Sequence, residues 1–374
     1  MHILILNWRD RRNPNAGGAE VLTHEMAKRW VQAGHIVTFF TSSFRGLLQQ
    51  ENLDGVTIIR RGQWWNVHIL AFFYYVFSFR NTTDIIVDEV HWVPFFSVLY
   101  ARKKVVLLVC EVANRLFFHL FPYPLALIGR AVEKFYLFLY RSVPMLAISP
   151  STKHDLIGEG IDERHITVLP MGLNVPRRMK RIPKEKTPTF LFVGRIHPLK
   201  GFIDAVEAMG IIHARIPHAK LWIVGTGDAS YIEMLKDRIE QLHLVDCVQF
   251  FGYLSEKEKF MIYQRAHLLL VPSIQEGWGL TVTEAASQET PSVAYDTAGL
   301  RDVVVDGVTG VLTGKNTPED LANAVLALWK NKKQYRRLQQ AGKRRAGEMS
   351  WDKTATTALN VIQTYYEKCN ASHH

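Results

Sequence analysis

The sequence predicts an α/β protein made of two doubly wound parallel sheets, and three observations carry that expectation. Short apolar runs rich in Val, Ile and Phe alternate with longer helix-like stretches along the whole chain, which is the pattern of βα units. At 374 residues the chain is too long for one ordinary core and fits two. Residues 176–188 carry three prolines and a basic run with almost no apolar side chains, so the alternation is cut in two there.

The strands expected in the first half are 2–7, 35–41, 56–60, 84–88, 105–109, 145–149 and 166–169. Those in the second are 189–193, 220–224, 248–251, 268–271, 292–295 and 310–312. The expected organisation is a first domain over 1–175, a linker over 176–188, a second domain over 189–348 and a terminal segment, 349–374, whose helix begins at Trp351. The two domains are expected to face a cleft. In open α/β sheets ligands bind beyond the carboxyl ends of the strands, so the residues that follow each run are the candidates for function.

Composition narrows the class. Hydrophobic content of 48% with 21% charged residues is globular. The three cysteines, Cys110, Cys247 and Cys369, are widely spaced and suggest neither a disulfide framework nor a zinc site, which fits a reducing cytoplasm. The first strand begins at His2 without a basic leader, so secretion is not expected. Much of the +10 net charge is local. Arg177, Arg178, Lys180, Arg181, Lys184 and Lys186 crowd the linker, where a solvated tether is the plain reading. Lys330, Lys332, Lys333, Arg336, Arg337, Lys343, Arg344 and Arg345 crowd a late helix and read as a solvated face or an attraction to anionic lipid. No recognition motif accompanies the charge, so nucleic acid is not an expected partner.

Three segments after strands carry chemistry. Glu276-Gly-Trp-Gly-Leu-Thr-Val-Thr-Glu284 follows the 268–271 run and leads into a helix. Gly277 and Gly279 remove side chains where the chain turns, so bare N–H groups and the positive helix end form a seat for an anion. Glu276 precedes that seat, and Glu284 is expected in the first helical turn. The two carboxylates can accept hydrogen bonds from hydroxyls on either side of a bound phosphate. In Phe192-Val-Gly-Arg195-Ile-His-Pro-Leu-Lys200-Gly201 two cations follow a strand end, and an Arg fork with a mobile Lys suits a diphosphate. Gly17-Gly18-Ala-Glu20 opens a helix after the first strand, where two glycines let backbone approach a ligand.

These segments, with Val271-Pro-Ser273, Pro291-Ser-Val-Ala-Tyr295, Gly299-Leu300, Asp306-Gly-Val-Thr-Gly310 and Trp351, resemble the retaining family-4 glycosyltransferases of GT-B fold, two Rossmann-like domains. The resemblance implies a nucleotide-diphosphate sugar donor, a UDP- or GDP-sugar, and a hydroxyl acceptor such as a glycan or lipid-linked glycan. It gives Arg195 and Lys200 the charge of the departing diphosphate, Glu284 the ribose diol, and Glu276 the hydroxyls of the transferred sugar. The amides of Gly277, Trp278, Gly279 and Leu280 lie beside them, the base lies near Gly252 and Tyr253, and the Gly17-Gly18 loop lies near the diphosphate and sugar. It also implies that the terminal helix packs on the first domain. No protein nucleophile is required by the front-face mechanism proposed for such enzymes, and no Gly-x-Ser-x-Gly signature occurs. No Asp-x-Asp pair occurs either, so neither a metal nor any other cofactor is expected.

The pattern breaks at one position. Members of the family carry a histidine after a mid-domain strand of the first half, and here the 105–109 run ends in Cys110-Glu111. A thiol hydrogen-bonds poorly, so one sugar contact is expected to weaken or to pass to Glu111, with His91 as another candidate. Two alternatives follow from the residues. Cys110 suggests a sugar-nucleotide-binding protein with little catalysis, and Gly225-Thr-Gly227 suggests a dinucleotide-dependent oxidoreductase, weakened by Ser230 in place of a third glycine. Two aromatic stretches, 64–77 and 115–128, are too short to span a bilayer. With Arg115, Arg130, Lys134 and Arg141 they suit peripheral contact with the inner face of a membrane. The terminal Ser372-His-His374 carries no reading.

Overall fold

The computed structural model describes residues 1–101, 104–114 and 116–371. Arg115 and Ser372–His374 therefore lie outside the described residues. The chain forms two compact units, Met1–Gly172 with Ser350–His374, and Leu173–Met349.

In unit 1 the strands are β1 His2–Leu6, β2 Ile36–Thr41, β3 Gln50–Leu53, β4 Val56–Arg60, β5 Ile85–Val90, β6 Val105–Val109, β7 Met145–Ala147 and β8 Ile166–Val168. The helices are α1 Gly18–Gln32, α2 Val67–Tyr74, α3 Val98–Ala101, α4 Leu116–Leu120, α5 Tyr123–Tyr140 and α6 Pro150–Gly158. The sheet runs β3-β4-β2-β1-β5-β6-β7-β8 and is parallel except for β3, an edge strand antiparallel to β4 that the sequence pattern missed. Its segment, Gln50-Glu-Asn-Leu53, has no buried face and so no period-2 signal. Every residue of β5 and β6 is buried, as expected for parallel strands covered on both faces.

In unit 2 the strands are β9 Thr189–Val193, β10 Lys220–Val224, β11 Val248–Gly252, β12 Leu268–Val271, β13 Ser292–Ala294 and β14 Gly310–Leu312. The helices are α7 Phe202–Arg215, α8 Ala229–Gln241, α9 Glu256–Arg265, α10 Leu280–Ser287, α11 Ala298–Val303, α12 Pro318–Lys330 and α13 Lys332–Gly347. The order β11-β10-β9-β12-β13-β14, wholly parallel, is the doubly wound one. Successive residues serve opposite faces. Phe190, Phe192, Leu268 and Leu270 enter one core, and Leu191, Leu269 and Val271 enter the other. Local caps fix the helix starts: Asp228 accepts from Ser230 N and Tyr231 N, Ser255 and Glu258 form a capping box, and Thr317 accepts from Asp320 N.

The last helix, α14 (Trp351–Ala371), returns to unit 1 and lies along α1. The buried Trp30 Nε1 donates to Ala355 O at 2.9 Å, and Trp351 packs over Gly172, where a Cβ would stand 2.2 Å from the indole. Two readings need correction. The 176–188 stretch is not a free solvated tether: Lys184 Nζ donates to Ala266 O at 2.7 Å, Ile182 N to Gln264 Oε1 at 2.7 Å, and Arg265 pairs with Glu185 at 2.7 Å. The late basic run is not one helix, because Asn331 ends α12 and caps α13 through Gln334 N, leaving Lys330 on the first and the remaining cations on the second.

Candidate functional site

In unit 2 the strand order reverses between β9 and β12, and the loops after those two strands interlock. Ile274 N donates to Leu199 O at 3.0 Å, and Gly201, at φ 71°, lies so near Pro272 O that a Cβ would stand 1.9 Å from it. This closeness brings Lys200 Nζ to 2.6 Å from Glu276 Oε1, which also accepts from Ser273 Oγ at 3.1 Å. Arg195 is exposed and makes no ion pair among the described residues.

Downstream of Glu276 the loop is pinned from the side. Gly299 N donates to Glu276 O at 3.1 Å, and a Cβ on Gly299 would meet Glu276 O at 2.4 Å. Gly279 takes φ 95°, a left-handed position that glycine adopts without strain, and caps α10 so that Leu280 begins the helix. Trp278 packs against the second core of unit 2, and its Nε1 is buried with no acceptor among the described residues.

Glu284 is not in the first helical turn, as expected from sequence, but one turn further in, the fifth residue of α10. There it meets α9, with Oε1 3.0 Å from Lys259 Nζ and Oε2 2.8 Å from Tyr263 OH. Burial raises the Glu284 carboxyl, opposed by Lys259. Burial works against the Lys259 ammonium too, but Glu284 and Glu256 outweigh it and hold the cation. Each Glu284 oxygen thus has one fixed partner and one remaining acceptor site. Sequence reading missed Lys259 and Tyr263, although their spacing of four on a helix was a usable signal.

Gly252 has φ 65° and its carbonyl accepts from Gly225 N at 2.8 Å, while Tyr253 beyond it is 82% exposed. Gly225 and Gly227 have a packing reason. A Cβ on either would lie about 2 Å from the carbonyl oxygens of Gly194 and Ile196 (1.8 and 2.1 Å). They also follow β10, whereas a dinucleotide fingerprint belongs after the central strand, which is β9 here.

In unit 1 the sheet reverses between β1 and β5. Gly17 N donates to Glu20 Oε2 at 2.6 Å, so this amide is satisfied from within, and Gly18 begins α1. Beside it lies a buried polar cluster centred on Glu89, the fifth residue of β5. Its Oε2 accepts from Asn7 Nδ2 and Thr23 Oγ1, each at 2.7 Å. Its Oε1 is 2.9 Å from His91 Nε2 and 3.7 Å from Cys110 Sγ. Trp92, at φ 69°, makes the reversal closed by Val93 N to His91 O at 2.8 Å. Burial, reinforced by Glu89, pushes the Cys110 thiol well above its ordinary value. Burial opposes the charged His91, yet Glu89 more than compensates and raises it. Glu111 is exposed. Two acids inside an apolar strand, Asp88 and Glu89, were the signal for this cluster that sequence reading left unused.

The aromatic stretches are helical, and each has a bare outer face. Trp64, Trp65, Ile69, Phe73 and Phe77 are exposed on and around α2, and Tyr123, Leu125, Ile128, Phe135 and Phe138 on α5. Among the described residues no helix is long and apolar enough to cross a membrane.

Comparison with known proteins agrees with this architecture. The family described as Glycosyltransferase Family 4 matches residues 16–177, and that described as Glycosyl transferases group 1 matches 176–345, so the two together run through most of the chain. Glycogen synthase of Mycobacterium tuberculosis is 30% identical over 210 residues, 55% of this chain and 50% of that protein. The chain spans about half the length of the curated relatives it matches first. Among solved structures, sucrose-phosphate synthase from Thermosynechococcus elongatus superposes with a TM-score of 0.79 at 19% identity, covering 99% of both chains. HepE of Anabaena, in complex with UDP-glucose, gives 0.73 at 17% identity, covering 99% of this chain and 100% of that one. With its two largely parallel sheets and both family regions in sequence order, the chain belongs to the family-4 glycosyltransferases of GT-B fold.

Proposed function

We propose that the protein transfers a sugar from a nucleotide-diphosphate donor, a UDP- or GDP-sugar, to a hydroxyl acceptor, with retention of anomeric configuration and without a metal. The observation that carries the reading is the Lys200–Glu276 pair at the switch point of unit 2, beside the glycine-capped start of α10. An anion seated there meets the amides of Gly277 to Leu280 and the Lys200 ammonium. Arg195, which has no competing ion pair among the described residues, is available to the same diphosphate. On donor binding Lys200 exchanges Glu276 for phosphate oxygens, which releases the Glu276 carboxylate to accept from sugar hydroxyls. Charge that grows on the leaving diphosphate is met by these two cations. Glu284, steadied by Lys259 and Tyr263, accepts from the ribose diol, and the base lies near Gly252 and Tyr253.

The exposed aromatic faces of α2 and α5 support a lipid-linked acceptor reached by peripheral contact at the inner face of the cell membrane. One observation favours a second reading, a donor-binding protein with weak turnover: the Cys110 thiol is buried against Glu89 and offers little to a sugar.

The test is thermal unfolding with UDP, GDP and ADP, with and without magnesium, followed by donor hydrolysis. A metal-independent shift with one nucleoside diphosphate and release of sugar is the expected outcome. Lys200→Ala should then lower turnover more than donor affinity, because its charge acts mainly on the leaving group. A shift that requires magnesium would remove the metal-free mechanism, and binding without hydrolysis or transfer would favour the second reading.

A further inference from the structure

The Glu89 cluster brings together three chemically different ligands from two adjacent strand ends. One ligand atom from each of Glu89, His91 and Cys110 lies within 4.8 Å of the other two. We infer that Glu89, His91 and Cys110 form a site for a divalent transition-metal ion of the zinc class. It is distinct from any diphosphate-bridging metal, because its donor set is a carboxylate, an imidazole and a thiol rather than oxygens alone.

Geometry supports the assignment. Tetrahedral zinc with S, N and O ligands at about 2.0–2.3 Å sets its ligand atoms roughly 3.3–3.7 Å apart. The carboxylate–thiol separation is 3.7 Å. The carboxylate–imidazole separation of 2.9 Å is a hydrogen bond that an ion replaces by opening the pair about half an ångström. The ligand oxygen is also oriented from behind. Asn7 Nδ2 and Thr23 Oγ1 both donate to Oε2, which leaves Oε1 to the other two ligands. Such outer partners fix ligand geometry in metal sites. The side chains lie at 0% exposure for Glu89 and 15% for His91, so the carboxylate is held in the interior and the imidazole sits on the solvent side. Three protein ligands leave a fourth position for a water, as in open zinc sites.

Binding is an exchange in which the ion takes the place of protons. The Cys110 S–H proton goes to solvent, the sulfur lone pair binds the metal, and any proton on His91 Nε2 is likewise released. No oxidation state changes.

The test uses the full chain, stripped with a chelator and titrated with cobalt(II), whose thiolate complexes absorb in the near ultraviolet and whose tetrahedral complexes absorb intensely in the visible. One ion per chain with both features, displaced by zinc, is expected. Cys110→Ser should abolish the thiolate band, and His91→Ala should weaken binding at least tenfold. Thr23→Val, which touches no ion, should weaken it roughly 10- to 100-fold as an orienting partner. Each variant is checked for native circular dichroism, and if Cys110→Ser fails to fold, Cys110→Ala takes its place. No thiolate band in the parent chain, or a band unchanged in the Cys110 variant, overturns the site and leaves Glu89 and His91 as an ion pair alone.

Discussion

Glu284 shows how one side chain acquires a role through its neighbours. Its carboxylate is held by an ammonium and a phenol from α9, so its rotamer is set before any ligand arrives. Removing it strips the buried Tyr263 hydroxyl of its acceptor, leaves Lys259 with Glu256 alone, and takes from any bound diol the same carboxylate. Glu284→Ala is expected to weaken nucleoside diphosphate binding by about 1.5–3 kcal/mol, and Tyr263→Phe, which deletes one steadying bond, by about 0.5–1.5 kcal/mol. Calorimetric titration measures both, and an unchanged affinity in Glu284→Ala removes the residue from the donor site. That Glu284 lies on a helix following an apolar run was legible, but neither its turn of that helix nor its partners were. Lys259 and Tyr263 come from a helix whose packing against α10 only the folded chain reveals. Glu20 was similarly opaque: the motif suggested amides open to a ligand, yet its carboxylate turns back on the Gly17 amide.

At the scale of elements, the sequence was most readable where both faces are covered. β6 and β12 are unbroken apolar runs, β9 is one after Thr189, and β5 is one up to the Asp88–Glu89 pair, so their positions follow largely from composition. It was least readable where a segment is held by long-range polar contacts. The 176–188 stretch has the composition of a tether, yet Lys184 is drawn into unit 2 between Ala266 and Thr290. Burial lowers its amine from 10.5 to about 7, with Glu289 opposing. From about pH 7 to 10.5 the unfolded chain therefore binds a proton that the folded chain does not, so this group makes stability rise with pH across that window. Lys184→Met should flatten that part of the slope, as read from urea midpoints at the two ends of the window. An equal slope in both proteins shows that the amine stays charged in the fold. The α1–α14 seam gives a second test. Trp351→Ala removes a nearly fully buried indole and should cost about 3–5 kcal/mol in denaturant unfolding. Gly172→Ala should also destabilise, because its methyl would meet the same ring. A neutral Trp351→Ala would mean that α14 contributes little to unit 1.

For the whole molecule, the aromatic side chains left bare on and around α2 and on α5 depart from an ordinary protein surface. Their exposure has a partner in the proposed lipid-linked acceptor. The chain is expected to co-sediment with anionic vesicles, and Trp64→Ser, Trp65→Ser and Phe77→Ser together should reduce the bound fraction severalfold while leaving nucleotide binding intact. Equal sedimentation of parent and triple variant would reassign that face. Another consequence lies in the chain's path. Unit 2 is inserted whole between the body of unit 1 and its final helix, so during synthesis the strands of unit 1 emerge first and their last piece emerges last. Until translation has passed the entire second unit, the α1 surface around Trp30 and the Gly172 seat wait uncovered by α14. The later-made unit can finish folding before the earlier-made one, so α14 docks as a single helix on a unit 1 whose other elements are already in place.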